Sequence, residues 1–290
     1  MSKIFFSSNT LTTSQVHSAL DALNLSSIGV EANNGQSIAE IPENHALSKT
    51  SVINTLQPLS KTHQFDFAIL EAEFRAHEFK LLVMDMDSTL ITIECIDEIA
   101  DFAGKKKEVS EITEAAMRGE IKDFSESLNR RVALLKGVPE SCLHSVFEER
   151  LRLSPGAETL IEFAKNNGWK TLLVSGGFTY FTDRIKQQLG LDYTRSNTLD
   201  IVEGHLTGRV TGEIVDAEVK RQTVLDTCEL LGCDPSRALV IGDGSNDLRM
   251  MEIAGASVAY HAKPVVQEKT DFCINHGGLD TICKWFEANI

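Results

Sequence analysis

Four short clusters hold residue types able to do chemistry; three end short apolar runs and the fourth opens a helix. Asp85-Met86-Asp87-Ser88-Thr89-Leu90 directly follows Leu81–Met84. Side chains two apart on a strand share a side, so Asp85 and Asp87 face one space. Two carboxylates that close repel unless a cation binds or one takes a proton. Gly242-Asp243-Gly244-Ser245-Asn246-Asp247 ends a second apolar run. Two acids in a glycine-rich loop suit a hard cation with oxygen ligands. Ser175-Gly176-Gly177 ends a third run, with a helical pattern following. A hydroxyl and backbone N–H groups at a helix N-terminus cradle phosphate oxygens. Lys220 lies in the first turn of a helix starting near Asp216, where the dipole disfavours it unless an anion is close. Taken singly, these are an acidic turn, a tight turn, a strand-to-helix turn and a surface lysine. Together they form one set.

The elements around them explain why. Leu81–Met84, Lys170–Val174, Ala238–Ile241 and Ser257–Tyr260 read as short buried strands, and Gly156–Asn167, Phe178–Leu189 and Val219–Leu231 as helices, each stopped by a glycine. Alternating strands and helices give a doubly wound α/β domain with a parallel sheet. Such sheets bind ligands beyond the carboxyl ends of their strands. All four clusters fall at that edge. Two insertions interrupt the alternation: a helical cap over about 94–152, with apolar positions such as Ile96, Ile99, Val109, Leu128 and Leu135, and a β-hairpin over Leu199–Val215 turning at Glu203-Gly204.

Residues 1–76 read as a separate small α+β domain, followed by the larger domain over 77–290. Lys3–Phe6 is a short strand, and Ser14 is placed to cap a helix carrying Val16, Ala19, Leu20 and Leu23. Extended stretches around Ser27–Ala32 and Gln36–Ile41 flank the turn signal Asn33-Asn34-Gly35. A helix over Ala46–Leu59 and a strand over Phe65–Glu73 complete a β-α-β-β-α-β order, that of a ferredoxin-like unit.

Composition narrows the function classes. The chain has 290 residues, 28 Lys and Arg against 42 Asp and Glu, and a net charge of −14, which argues against generic binding to nucleic acid or anionic membrane. No apolar run approaches the ~18 residues of a membrane span, and MSKIFFSSNT lacks a secretory signal's apolar core. The six cysteines are scattered with no zinc spacing and read as small buried hydrophobes in a reducing cytoplasm. The eight histidines show no pairing, and His261 is assigned nothing.

The order Asp-x-Asp, Ser-Gly, Lys, Gly-Asp-Gly-x-x-Asp resembles the haloacid dehalogenase superfamily of aspartate-nucleophile phosphatases, over roughly residues 80–290. More narrowly, Asp85–Leu90, Glu94–Ala100, Arg131–Lys136, Ser175–Phe178 and Gly242–Asp247 look like the phosphoserine phosphatase family. That family usually has Ala at the position of Ser245 and often Thr at that of Cys95. Many members also carry an N-terminal regulatory or ACT-like domain, a looser likeness to residues 1–76.

The resemblance implies Mg²⁺-dependent hydrolysis of O-phospho-L-serine, the last step of serine biosynthesis, through an aspartyl-phosphate. It makes Asp85 the nucleophile and Asp87 the general acid. Mg²⁺ would sit on the Asp85 carboxylate, the Asp87 main-chain carbonyl and Asp243, with Asp247 one layer behind, orienting a bound water or Lys220. Ser175, Gly176 and Lys220 would hold the phosphoryl oxygens, with Asn246 nearby. Glu94 would read the substrate ammonium and Arg131, rather than adjacent Arg130, its carboxylate. Rival readings are a phosphatase or phosphotransferase for another small phosphate monoester, and a silent regulatory protein binding an amino acid through its N-terminal residues. The oligomeric state stays open, a homodimer among the candidates.

Overall fold

The computed structural model describes residues 3–8, 12–25, 30–33, 36–41, 48–117, 120–121 and 123–288. Strands β1 (Lys3–Ser7), β2 (Val30–Asn33), β3 (Gln36–Glu40) and β4 (Asp66–Leu70) form an antiparallel sheet in the order β2-β3-β1-β4. With helices Thr13–Ala22 and Lys49–His63 this is the β-α-β-β-α-β arrangement of a ferredoxin-like unit. Alternation along β1 sorts its side chains. Ile4 and Phe6 pack with Val16, Leu20, Val52 and Leu56, whereas Phe5 faces the other way, in the core cluster that includes Ala68, Leu70 and the larger sheet.

The first helix is capped two residues earlier than Ser14 implied. Thr12 caps it, accepting from the Gln15 N–H while the Gln15 side chain accepts from the Thr12 N–H, a reciprocal capping box. Ser48 caps the second helix. The expected start at Ala46, part of the stretch before Val30, and Asn34 and Gly35 of the turn lie outside the described residues.

The larger sheet holds β5 (Leu81–Met84), β6 (Lys170–Phe178), β7 (Tyr193–Val202), β8 (His205–Thr211), β9 (Ala238–Gly242), β10 (Ala256–Tyr260) and β11 (Phe272–Ile274), in the order β11-β10-β9-β5-β6-β7-β8. All neighbours are parallel except β7 and β8. The expected α/β class holds. Because helices cover both faces, β5, β9 and β10 are buried along their whole length. The hairpin is less separate than its sequence suggested, since β7 pairs with β6 before continuing into it.

Helices Cys95–Phe102, Lys106–Met117, Phe124–Ala133 and Ser141–Ser145 form the insertion after β5. They bury Ile99, Val109, Leu128, Val132 and Leu143. The hairpin braces them: Gly137 N–H donates to the Leu206 carbonyl, Leu206 N–H to Val138, and Glu140 N–H to Gly204, each at 2.8 Å. Among the described residues no helix is long and apolar enough to cross a membrane.

A buried carboxylate ties the two sheets together. Asp66, 2% exposed, accepts from the N–H groups of Asn275 (2.7 Å), His276 (3.2 Å) and Gly277 (2.6 Å). Sequence reading had no cue for it, because its partners lie about two hundred residues away. Asp66→Ala would strand three backbone donors, so we expect about 3 kcal/mol of lost stability. Urea unfolding of the full chain checks this, and a midpoint within error of wild type would contradict it.

Candidate active site

The chemistry-bearing residues converge beyond the carboxyl ends of β5, β6 and β9. A cleft of about 620 Å³ there is lined by Asp85, Asp87, Ser175, Gly176, Asp243 and Asn246 from the core and by Glu94 and Arg131 from the cap side. Of the ten site residues expected from sequence, eight line this one cleft. The other two, Lys220 and Asp247, are fully buried beside it.

The chain turns sharply after β5. Asp85 and Asp87 keep extended backbone, and Ser88 then takes φ +54°, which brings its hydroxyl onto Glu94 Oε1 at 2.7 Å. Asp85 Oδ1 accepts from the Met86 N–H (2.7 Å) and lies 2.9 Å from Lys220 Nζ. Lys220 Nζ also donates to Asp247 Oδ1 at 2.7 Å, and Asp247 Oδ2 accepts from the Gly244 N–H at 3.1 Å. Burial works against the Lys220 ammonium, but the two carboxylates more than compensate and hold its pKa above the ordinary lysine value. An ammonium has three N–H donors, so one remains uncommitted. The resemblance set Lys220 against phosphoryl oxygens, with Asp247 orienting it or a bound water. The structure commits most of it to carboxylates.

One carboxylate oxygen from each of Asp85, Asp243 and Asp247 lies within 4.8 Å of the others. Burial, then Asp247, pushes the Asp85 carboxyl well above its usual value. The same two causes push Asp243 up to about 7, against a 3.2 Å bond from Thr89 Oγ1. Three carboxylates facing one ammonium leave about two negative charges unbalanced in a low-dielectric site. The donors are all oxygen, so the set fits a hard divalent cation such as Mg²⁺.

Asp87 sits apart from this cluster. Its Oδ1 accepts from the Cys95 N–H at 3.0 Å, and burial followed by the Glu94 charge pushes its carboxyl up to about 7. Gly177 makes room for it: a Cβ there would lie 2.6 Å from Asp87 Oδ2.

Ser175-Gly176-Gly177 corrects one expectation. The strand does not stop at Val174 but runs to Phe178, with a register shift against β7, and the helix begins only at Thr179. The glycines therefore form an irregular strand end, not a helix N-terminus. Gly177 N–H donates to Ser175 Oγ at 2.8 Å. Buried Asn197 fixes the turn, giving its side-chain N–H to the Gly176 carbonyl and accepting from the Val215 N–H, both at 2.8 Å.

On the cap side, Glu94 stands just before helix Cys95–Phe102 and Arg131 lies in the last turn of Phe124–Ala133. Arg130 is exposed and paired with Glu126 at 2.5 Å, whereas Arg131 lines the cleft. Burial raises the Glu94 pKa, against the Ser88 hydrogen bond and the charges of Arg131 and Lys263.

Comparison with known proteins then decides the family. Residues 79–255 match the model of haloacid dehalogenase-like hydrolases. A phosphoserine phosphatase from Polaromonas sp. is 54% identical over 231 residues, 78% of this chain and 98% of that protein. The chain belongs to the phosphoserine phosphatase family of haloacid dehalogenase-like hydrolases. A haloacid dehalogenase family hydrolase from Salmonella enterica serovar Typhi superposes over 99% of both chains, with TM-score 0.89 and 35% identity. A probable phosphoserine phosphatase from Vibrio cholerae covers 99% of this chain, and this chain 87% of it, with TM-score 0.83 and 39% identity.

Within this family member, sequence reading missed three residues of the site. Asn197 is one, being 21 positions from its partner. Asp97 lines the cleft with its Oδ1 buried and without a hydrogen-bond partner among the described residues, and burial raises its pKa against the Arg131 charge. Its cue was the Ile-Asp-Glu run beside Glu94. Lys263 is the third.

Proposed function

We propose that this enzyme hydrolyses O-phospho-L-serine to L-serine and phosphate, the last step of serine biosynthesis, in the cytoplasm. The observation that carries the reading is that the cleft holding Asp85 and Asp87 is also lined by an acid and a base from the cap side, Glu94 and Arg131. A phosphatase core alone needs no such pair. A substrate with both an ammonium and a carboxylate does. The similarity to curated phosphoserine phosphatases supports the same substrate. Six free cysteines accord with a reducing compartment, which fractionation of the full chain would test.

Asp85 attacks phosphorus. Its Oδ1 is committed to Met86 and Lys220, which leaves the second oxygen for the new O–P bond. The serine O–P bond breaks, and Asp87 gives its proton to the leaving oxygen. Asp87 then takes a proton from the water that hydrolyses the aspartyl-phosphate. Lys220 turns its remaining N–H to a phosphoryl oxygen while Asp247 holds it in place. Ser175, Gly176 and Asn246 complete the phosphate seat. The Asp85 carboxylate, the Asp87 carbonyl and Asp243 would hold Mg²⁺, whose charge offsets that of the phosphate and aligns it for attack.

The test is phosphate release, with Mg²⁺ and with EDTA, from L-phosphoserine, phosphothreonine, phosphoethanolamine, a sugar phosphate and an aryl phosphate. We expect Mg²⁺-dependent turnover strongly favouring phosphoserine. Equal rates across the panel would refute the substrate, and full activity in EDTA would refute the metal.

A further inference from the structure

The cleft has an electrostatic problem for any phosphate monoester. Among the described residues, six acidic side chains line it, against two cationic ones, Arg131 and Lys263, on a chain of net charge −14. Lys220 is buried beneath and held by Asp85 and Asp247. Arg131 sits among Asp97, Glu94 and Asp87, whose charges all act on it. Lys263 differs. It is exposed, follows β10, and among the described residues has no carboxylate paired with its ammonium.

Its placement is built rather than incidental. The Lys263 N–H donates to the Asp243 carbonyl at 3.3 Å, joining its backbone to the acidic loop after β9. The turn before it is fixed by His261, at φ +46°, whose N–H donates to the Ile274 carbonyl (2.7 Å) and whose Nε2 is 3.0 Å from the Gly277 carbonyl. Residues that sequence reading left without a role thus present at the cleft wall an ammonium without an ion pair among the described residues, whose charge acts on Glu94.

We infer that Lys263 is a substrate-binding residue, which draws the phosphate dianion past the acidic rim and touches its outer oxygens as the substrate seats. A long flexible cation that no carboxylate among the described residues pairs with suits capture of a mobile dianion, and clefts with one sign of charge change association rates strongly. The inference rests on the reading of the cleft as a phosphate monoester site, not on which ester it takes. Lys263 would therefore act on every substrate alike, whereas Arg131 reads only those with a carboxylate.

The experiment compares Lys263→Met and Lys263→Arg with wild type on phosphoserine and an aryl phosphate, and measures competitive inhibition by inorganic phosphate. The backbone bond to Asp243 survives either change, so the side chain alone is tested. Lys263→Met should lower kcat/KM about tenfold on both substrates through KM, with kcat within about twofold. The phosphate inhibition constant should rise in parallel, about 0.5 M KCl should shrink the difference, and Lys263→Arg should recover most of it. Unchanged KM and inhibition constants would overturn the inference, as would a loss that neither salt nor arginine moves. A wild-type enzyme without preference for phosphoserine would sink the substrate reading and leave this comparison intact on the aryl phosphate.

Discussion

Asp85→Asn should abolish turnover, with kcat down at least about 10³-fold, while the fold is retained. The amide cannot supply the anionic oxygen that attacks phosphorus. It is nearly the same size, and it keeps a carbonyl oxygen to accept from the Met86 N–H. Lys220 keeps Asp247 as its partner, so the buried ammonium is not orphaned. Stability should therefore change far less than activity. Initial rates and urea unfolding on one preparation, shown by mass spectrometry to be free of deamidation, separate the two effects. Full activity in such a preparation would remove Asp85 from the nucleophile's role.

The second large effect belongs to the cap side. Changing Glu94→Gln together with Arg131→Ala should lower kcat/KM for phosphoserine by about 10³-fold and leave an aryl phosphate within a few-fold of wild type. The asymmetry follows from position. Both side chains line the cleft and neither bonds to Asp85, Lys220 or Asp247; the Glu94 charge does act on the general acid Asp87, but an aryl leaving group needs that proton least. An arginine fork reads a carboxylate bidentately, and a substrate group left without its partner is costly once buried. Steady-state kinetics on the two substrates checks it. Equal losses on both would mean that the pair supports the core chemistry and does not read serine.

What the sequence made legible, and what it hid, follows from the range of the interactions. Asp85 with Asp87, and Asp243 with Asp247, are close in sequence, and their chemistry needs those residue types at that spacing. The strand before each is apolar along its length, so both loops could be set at one sheet edge before any coordinates. Lys220 was placed on its helix by the sequence, but its surroundings were only partly legible. Its bond to Asp247, across 27 positions, was one of two alternatives that only the resemblance implied, and nothing near Lys220 in sequence signals that Asp85 will meet it as well. The helix start at Thr12 turned on one glutamine three positions on. The strand through Ser175–Phe178 turned on Asn197, a buried amide in another element. Asp66, Asn197 and Lys263 share one property: each acts through backbone groups or space contributed by distant segments.

The central claim is that this chain moves phosphate from serine onto Asp85. Rapid acid quench of the full-length enzyme with Mg²⁺ and O-phospho-L-serine labelled on phosphorus tests it directly, with the labelled peptide sequenced by mass spectrometry. We expect transient label on the peptide containing Asp85, at Asp85, that decays as labelled phosphate appears, and none in Asp85→Asn. Release of phosphate with no protein-bound label at any quench time, or label on another residue, would contradict the account.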